Sequence, residues 1–207
     1  MNMSPRPDRA PRRRLDVDQR REAILTAARS LYAKAPYPEV SIAEVAQAAG
    51  ASPALVFHYF GSKATLYAAV VDAAIRTLAD AQRAAQAQLD QGVSAMDRVR
   101  ASLVVYLDHI ATHPTTWAAP LLGGEEPREA LDVRHHARAG YVAALRDLLK
   151  PATWARHDYA LWGYFGFLDQ ACLRWVEAGC PDTDRHALID AALGALEGAL
   201  GEWDFRQ

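Results

Sequence analysis

The sequence predicts an all-α protein of about nine helices, with a three-helix head followed by a larger helical body. Apolar residues recur at helical spacing along most of the 207 residues, and no strand-like alternation is sustained. Glycines and prolines divide the chain into segments of ordinary helix length. Apolar residues make up 51% of the sequence, which is enough for a sizeable core.

Residues 1–16 are predicted to form a disordered basic arm. Residues 1–15 contain three prolines and five arginines and have no apolar period. Two interpretations remain open: a solvated tail, or an arm that lies along phosphates or enters a minor groove of DNA. In the second case Arg13 and Arg14, which lie close to the folded part, are candidates for the contact.

A first helix is predicted to begin at Asp16 or Asp18, either of which can cap it, and to end near Ala35, before two prolines. Its apolar face is formed by Ile24, Ala27, Ala28, Leu31 and Tyr32.

Residues 41–66 contain the most informative pattern in the chain. Ser41 and Glu44 have the spacing of a capping box that opens a second helix. Gly50 can adopt the positive φ of a tight turn, and Ser52 followed by Pro53 opens a third helix. Two helices joined by such a short turn form a helix-turn-helix, whose second helix can enter a DNA major groove. The sequence therefore predicts a DNA-binding head.

The remaining chain reads as further helices separated by glycine and proline. A fourth helix is predicted from Lys63 to Gly92, and a fifth from residue 94 to His113. A loop-rich stretch with a short helix at residues 117–122 precedes predicted helices over 128–149, 152–178 and 182–201. Charge is uneven, since residues 1–67 hold ten Lys and Arg against six Asp and Glu, and the rest 13 against 19. A basic front on an acidic body is typical of a DNA-binding head joined to another domain.

The pattern in residues 20–71 resembles the tetracycline-repressor (TetR) family of bacterial transcriptional regulators. The resemblance rests on four groups of residues: Ile24-Leu25 through Leu31-Tyr32, Ser41-Ile42 through Ala49-Gly50, Ser52 with Val56-Phe57, and Tyr59-Phe60 with Lys63 and Leu66. It implies a head over residues 17–66 and, over residues 67–207, a ligand-binding and dimerisation domain. It also implies a repressor. Phe57 departs from the family pattern, because many relatives have a phosphate-bonding Tyr there; His58 or Tyr59 could supply that contact instead.

The candidate DNA contacts in the head lie near the starts of its helices or on the third helix. They are Ser41, Ser52, Pro53, Ala54, His58, Tyr59 and Lys63. Ser and His can hydrogen-bond to base edges, and Pro and Ala can contact a thymine methyl. Lys63 and the N-terminus of the fourth helix can bind a phosphate. Simple capping would equally explain both serines. Phe57 and Phe60 are expected to pack inside the head.

The body is expected to bind a small, largely apolar effector and to form a homodimer. Aromatic and histidine side chains are candidates for the effector cavity, although a plain core would also accommodate them. They are Tyr106, His109, His113, Trp117, Tyr141, Trp162 and Phe165. The last two helices are the predicted dimer surface, with small residues on the final helix and the Leu161, Phe165, Leu168 and Trp175 side of the preceding one. Such a dimer would recognise a palindromic operator in double-stranded DNA.

Other function classes receive less support from the sequence. His109 and His113 are four residues apart, a spacing that can bind a metal, but no HExxH, phosphate loop or nucleophile motif accompanies them. We therefore expect no enzyme, cofactor or metal site, with a helical metalloenzyme as the weaker alternative. A DNA-binding or interaction protein that does not switch is the other alternative. Without a membrane span or signal, the chain is expected to be cytoplasmic.

Overall fold

The computed structural model describes residues 17–151 and 155–201, and all regular structure in these ranges is helical. Nine α-helices follow one another there: α1 (Val17–Tyr32), α2 (Ile42–Ala48), α3 (Pro53–Phe60), α4 (Lys63–Ala87), α5 (Ala95–Thr112), α6 (Pro114–Ala118), α7 (Arg128–Leu149), α8 (Ala155–Glu177) and α9 (Arg185–Leu200). A single 3₁₀ turn, Asp182–Asp184, precedes α9. The predicted all-α fold is confirmed. No helix within the described ranges is both long enough and apolar enough to cross a bilayer.

Four predicted helix boundaries were wrong by several residues. Helix α9 begins at Arg185 and not at the predicted 182, because residues 182–184 form the 3₁₀ turn. Helix α1 ends at Tyr32, before the predicted Ala35. Helix α4 ends at Ala87, because the next backbone N–H groups bond to carbonyls three residues back, which tightens the chain into a turn. The short helix α6 begins at Pro114, which needs no partner for an N–H at the first helical position.

The head, residues 17–66, has its own apolar core. Helices α1, α2 and α3 each contribute fully buried side chains, including Ile24, Val45 and Val56, and Leu66 closes the core from the start of α4. These positions follow the helical periods in the sequence. The core thereby fixes which face of α3 turns outward.

The body, residues 67–201 without the undescribed 152–154, is built mainly from α4, α5, α7, α8 and α9. Its main core combines one face from each of α5, α7, α8 and α9. The buried residues there include Leu107, Val142, Leu161 and Leu196. Helix α4 runs without a break from the head into the body. Its Leu66 packs in the head, and Ala68 packs against α7.

Candidate nucleic-acid interface

The turn between α2 and α3 has the predicted geometry. Ser41 Oγ accepts a hydrogen bond from the Glu44 N–H at 3.2 Å, and the Glu44 carboxylate accepts one from the Ser41 N–H at 2.7 Å. The predicted capping box is therefore present. Gly50 has φ +60°, the left-handed conformation that glycine adopts without strain. These local contacts hold α2 and α3 at a fixed angle.

Helix α3 is capped at its start and anchored on one side. Ser52 Oγ accepts a hydrogen bond from the Leu55 N–H at 3.2 Å, and Pro53 occupies the first helical position. Val56 and Phe60, four residues apart, are buried in the head core. The opposite face is exposed and holds four of the predicted contacts: Ser52, Pro53, Ala54 and His58.

Phe57 is the residue of α3 for which the sequence expectation was wrong. It was expected to pack inside the head, yet its side chain is 48% exposed. The reason is geometric: successive helix positions are about 100° apart, so burying Val56 turns Phe57 away from the core. Phe57 consequently adds an apolar group to the outward face of α3, which also holds His58.

His58 and Tyr59 are neighbours at the end of α3, with their ring centroids 5.3 Å apart in an edge-on arrangement. His58 is exposed and Tyr59 is half-buried. Both carry a polar group that can donate to a phosphate, and Phe57 lacks one. The donor that position 57 cannot provide is thus available one or two residues later.

Lys63 is held beside the head and does not extend freely into solvent. Its Nζ donates to the Pro38 carbonyl at 3.2 Å and lies 4.4 Å from the centre of the Tyr37 ring. Partial burial lowers the pKa of Lys63, and the charge of Glu44 opposes that shift. Because these contacts limit its rotamers, Lys63 offers a positioned positive charge at the start of α4.

Arg13 and Arg14, the predicted arm contacts, lie outside the described residues. A further cation, Arg21 of α1, was not singled out from the sequence. Its guanidinium lies 5.0 Å from the centre of the Phe60 ring, and the residue is exposed. Arg21 therefore places a positive charge beside the end of α3. Its position on the polar side of α1 could have indicated this.

Tyr106 and Trp117 are brought together in the body, as the prediction of a shared cavity requires. The Trp117 indole N–H donates to the Tyr106 hydroxyl at 2.9 Å, with the rings edge-on. Burial strongly raises the pKa of Tyr106, so its hydroxyl stays protonated. This hydrogen bond connects α5 to α6.

His109 and His113 also lie side by side, with ring centroids 5.3 Å apart. Burial, together with the neighbouring His113, lowers the pKa of His109 and favours its neutral form. The described residues contain no cluster of three or more His, Cys, Asp or Glu that could hold a metal ion. Two histidines alone leave a metal site incomplete.

Tyr141 and Phe165 meet where α7 packs against α8, with ring centroids 6.3 Å apart. The Tyr141 hydroxyl is buried and has no hydrogen-bond partner among the described residues. The sequence did not single out the ion pair beside them: Arg138 donates to Asp169 at 2.7 Å and lies over the Phe165 ring. Burial raises the pKa of Asp169 and outweighs the opposing effect of Arg138.

Trp162 stands apart from the other candidates for the effector cavity. It is 38% exposed on the outer face of α8 and stacks on His135, with ring centroids 6.2 Å apart. The structure therefore does not bring Trp162 together with Tyr106 or Tyr141.

A cavity of about 360 Å³ lies elsewhere in the body. It is lined by Met96, Leu149, Pro151, His157, Leu196, Glu197, Leu200 and Gly201. Helix α7 starts near the head and ends at this cavity, and its 22 residues span about 33 Å. The cavity thus lies at the end of the body far from the head, and it includes none of the seven candidates.

The capped turn between α2 and α3 and the exposed outer face of α3 place this chain in the class of helix-turn-helix proteins. Residues 24–70 match the family model of the bacterial regulatory proteins of the tetR family. The N-terminal part of the chain is therefore similar to that family over these residues.

The chain is also similar to one curated protein over about half of its length. The HTH-type transcriptional regulator BetI of Rhizobium meliloti (strain 1021) is 33% identical over 115 residues, which are 56% of this chain and 55% of BetI. The chain therefore matches about half the length of this relative.

Solved structures support the fold across most of the chain. A tetR-family transcriptional regulator from Streptomyces coelicolor has a TM-score of 0.69 at 23% identity, covering 89% of this chain and 80% of that one. The fatty acid degradation regulator FadR from Bacillus halodurans has a TM-score of 0.66 at 18% identity, covering 95% and 100%. At these sequence identities the likeness shows the fold.

Proposed function

We propose that the chain is a sequence-specific, DNA-binding transcriptional regulator: a homodimeric repressor released from a palindromic operator by a small, largely apolar effector. Residues 17–66 form the DNA-binding head, and residues 67–207 form the effector-binding and dimerisation domain. In this proposal Arg13 and Arg14, from the arm of residues 1–16, also contact DNA. The outward face of α3 is the observation that carries this proposal.

That face has the chemistry of base-edge recognition. Ser52 and His58 are exposed and can hydrogen-bond to bases, and Pro53, Ala54 and Phe57 offer apolar contact to thymine methyl groups. Each well-made base contact contributes about 1–3 kcal/mol of discrimination. Since α3 is only eight residues long, one head reads few base pairs, and two heads are needed for useful specificity.

Phosphate contacts would orient the head on the duplex. Ser41 is exposed at the start of α2, and Tyr59 is half-buried at the end of α3. Lys63 and Arg21 carry positive charges beside the head core. Such contacts fix the register of a protein on DNA, while the bases determine which site is chosen.

The outer face of α8 supports a dimer through the last two helices. Tyr159, Trp162 and Phe167 are exposed there, and a Cβ added at Gly163 or Gly166 would meet no atom within 4 Å. The neighbouring α9 exposes small residues such as Ala191 and Gly194. A second copy can therefore approach closely and cover the aromatic rings.

The sequence-based prediction of which side of α8 forms the dimer surface was wrong. Leu161, Leu168 and Trp175 are buried in the core of the same subunit, where they pack with α5 and α9. They are not available to a partner. The helix is apolar on several sides, and the opposite side is the one left exposed.

The α7–α8 seam is the proposed effector region. Phe165 and Tyr141 provide aromatic contact, and the Tyr141 hydroxyl is a buried polar group without a partner among the described residues. Native proteins rarely leave such groups unsatisfied. A mostly apolar effector with one hydrogen-bonding group would satisfy it, with Tyr106, Trp117, His109 and His113 on the neighbouring helices.

Selection from random duplex DNA tests the DNA-binding part. We expect a palindrome with half-sites about 34–36 Å apart centre to centre, matching a two-fold dimer. His58→Ala should weaken binding to the selected site, measured by fluorescence anisotropy. Thr26→Ala, at an exposed position of α1, is the matched control and should bind like the parent. Failure to enrich any sequence would refute the proposal.

Thermodynamic linkage tests the switching part. Compounds are first screened for raising the melting temperature of the purified protein, and a hit is then titrated calorimetrically with and without the selected operator. Effector and DNA must weaken each other by the same factor, typically about 5–150-fold. Equal effector affinities in the two titrations would favour a regulator that does not switch.

A further inference from the structure

The joint between head and body centres on Tyr67 in the second turn of α4. Its ring packs against the head core and also against the small apolar contact between α4 and α7. On the head side it meets Tyr32 edge-on, with centroids 4.8 Å apart, and Tyr37 at 5.0 Å. Tyr67 therefore touches both parts of the molecule.

The Tyr67 hydroxyl ends in a buried polar network. It donates to Glu126 Oε1 at 2.6 Å, and the Glu126 side chain is only 4% exposed. Arg134 of α7 donates to both oxygens of the same carboxylate, each at 2.8 Å. Burial alone would raise the pKa of Glu126, but the hydrogen bonds from Arg134 and Tyr67 lower it, so the carboxylate stays ionised.

The apolar part of the joint cannot by itself define an orientation. It consists mainly of Ala68 and Val71 of α4 against Ala130 of α7. Apolar burial is non-directional, and small side chains interlock weakly. A two-point Arg–carboxylate contact, by contrast, is specific in geometry, and Tyr67 adds a third directed bond. Beside the unbroken helix α4 and the hydrogen bond from Arg29 to Thr77, the network of Tyr67, Glu126 and Arg134 is thus a directional contact of the joint.

The same contacts extend toward the DNA-facing side. Tyr37, which packs on Tyr67, lies under the ammonium group of Lys63. Lys63 also bonds to the Pro38 carbonyl in the loop that leads to α2. An unbroken set of contacts therefore runs from Arg134 in the body to the residue proposed to hold a phosphate.

We propose that Tyr67, Glu126 and Arg134 are positioning residues that fix the head on the body and thereby set the operator half-site spacing that the dimer accepts. This inference rests on the proposed function. In a symmetric dimer the distance between the two α3 helices depends on how each head is oriented on its body. A loosened joint would let the heads reach several spacings, each less favourably than the native one.

Operators with altered spacing test this assignment. The selected palindrome is synthesised with its half-sites unchanged and its centre lengthened or shortened by one or two base pairs. Binding of the full-length dimer to each is measured for Tyr67→Phe, Glu126→Gln and Arg134→Gln. Arg146→Gln is the matched control. Arg146 is also on α7, but its partner is Asp158 of α8, so this ion pair does not join the body to the head.

We expect the three joint variants to lose about tenfold of the parent's preference for the native spacing, within the usual range of coupling between sites. The control should keep that preference. Unchanged preference would overturn the inference, and so would an equal loss of affinity at every spacing, which indicates simple destabilisation. Thermal unfolding checks that each variant folds, and Tyr67→Phe, which keeps its ring, carries the test if the others do not. If the parent selects no palindrome, the proposed function fails instead.

Discussion

The head and the body differ in how their helices are capped and in how many aromatic rings they leave exposed. In the head, α2, α3 and α4 all begin with a serine whose side chain accepts a backbone hydrogen bond. In the body, α7 begins after Pro127 without such a cap. Buried hydroxyls without a hydrogen-bond partner among the described residues occur in both parts: Tyr32 in the head, and Tyr141 and Tyr164 in the body.

This difference shows what each part requires from outside. The head reaches a defined shape through contacts within its own short sequence, as a rigid DNA-reading surface requires. The body leaves three aromatic rings exposed on α8, those of Tyr159, Trp162 and Phe167, whereas the described part of the head exposes, among its Phe, Tyr and Trp rings, only that of Phe57. A second subunit would cover the exposed rings on α8, and an effector would give the Tyr141 hydroxyl a hydrogen-bond partner.

Removing a core side chain from the head should have the largest effect. Ile24 is fully buried, so Ile24→Ala should lower the free energy of unfolding by about 2–5 kcal/mol, measured by urea denaturation. Val104→Ala, at an exposed position of the body, is the control and should stay within about 0.5 kcal/mol of the parent. A loss below about 1 kcal/mol for Ile24→Ala would mean that the head is less tightly packed than described.

Placing a charge on the outer face of α8 should separate the subunits. Phe167→Asp should give a monomer in analytical ultracentrifugation and weaken operator binding by about 100-fold, or ~2.7 kcal/mol, because each head then binds alone. Leu122→Asp changes an exposed residue outside α8 and α9 and should remain dimeric. A dimeric Phe167→Asp protein would move the interface to another surface.

Removing helix caps from the two parts should cost similar stability but differ in function. Ser52 caps α3 in the head and Ser94 caps α5 in the body. Each change to Ala should lower the free energy of unfolding by about 1 kcal/mol. Only Ser52→Ala should also weaken operator binding, and equal binding by both variants would remove Ser52 from the DNA contacts.

The Tyr141 hydroxyl, which has no hydrogen-bond partner among the described residues, should contribute almost nothing to the free energy of unfolding. Tyr141→Phe should change the free energy of unfolding by less than about 0.5 kcal/mol or stabilise the protein, because no hydrogen bond is lost. Tyr106→Phe is the comparison, since it strands the Trp117 N–H and should cost about 1–3 kcal/mol. A large loss for Tyr141→Phe would show that its hydroxyl is already satisfied.

Local signals made much of the head predictable from the sequence. The capping pair Ser41 and Glu44, the Ser52-Pro53 start and the positive φ of Gly50 all appear as predicted. These features depend on residues within a few positions of one another, so no knowledge of the tertiary structure is needed. The bounds of α7, Arg128–Leu149, were predicted for the same reason, from Pro127 and Pro151.

Contacts between distant residues could not be predicted in this way. Nothing in the spacing of Tyr67, Glu126 and Arg134 indicates that they meet, since 59 residues separate the first two. The direction of Phe57 also depended on which neighbour the head core buries.

The sequence by itself determined the helices and the helix-turn-helix, because caps, turns and helical periods are local. Only the tertiary structure decided which side of α8 faces outward and how the head is joined to the body. When a helix is apolar on several sides, the spacing of its apolar residues does not indicate which side packs into the core. Packing against the other helices chooses Leu161 for the core and leaves Phe167 outside.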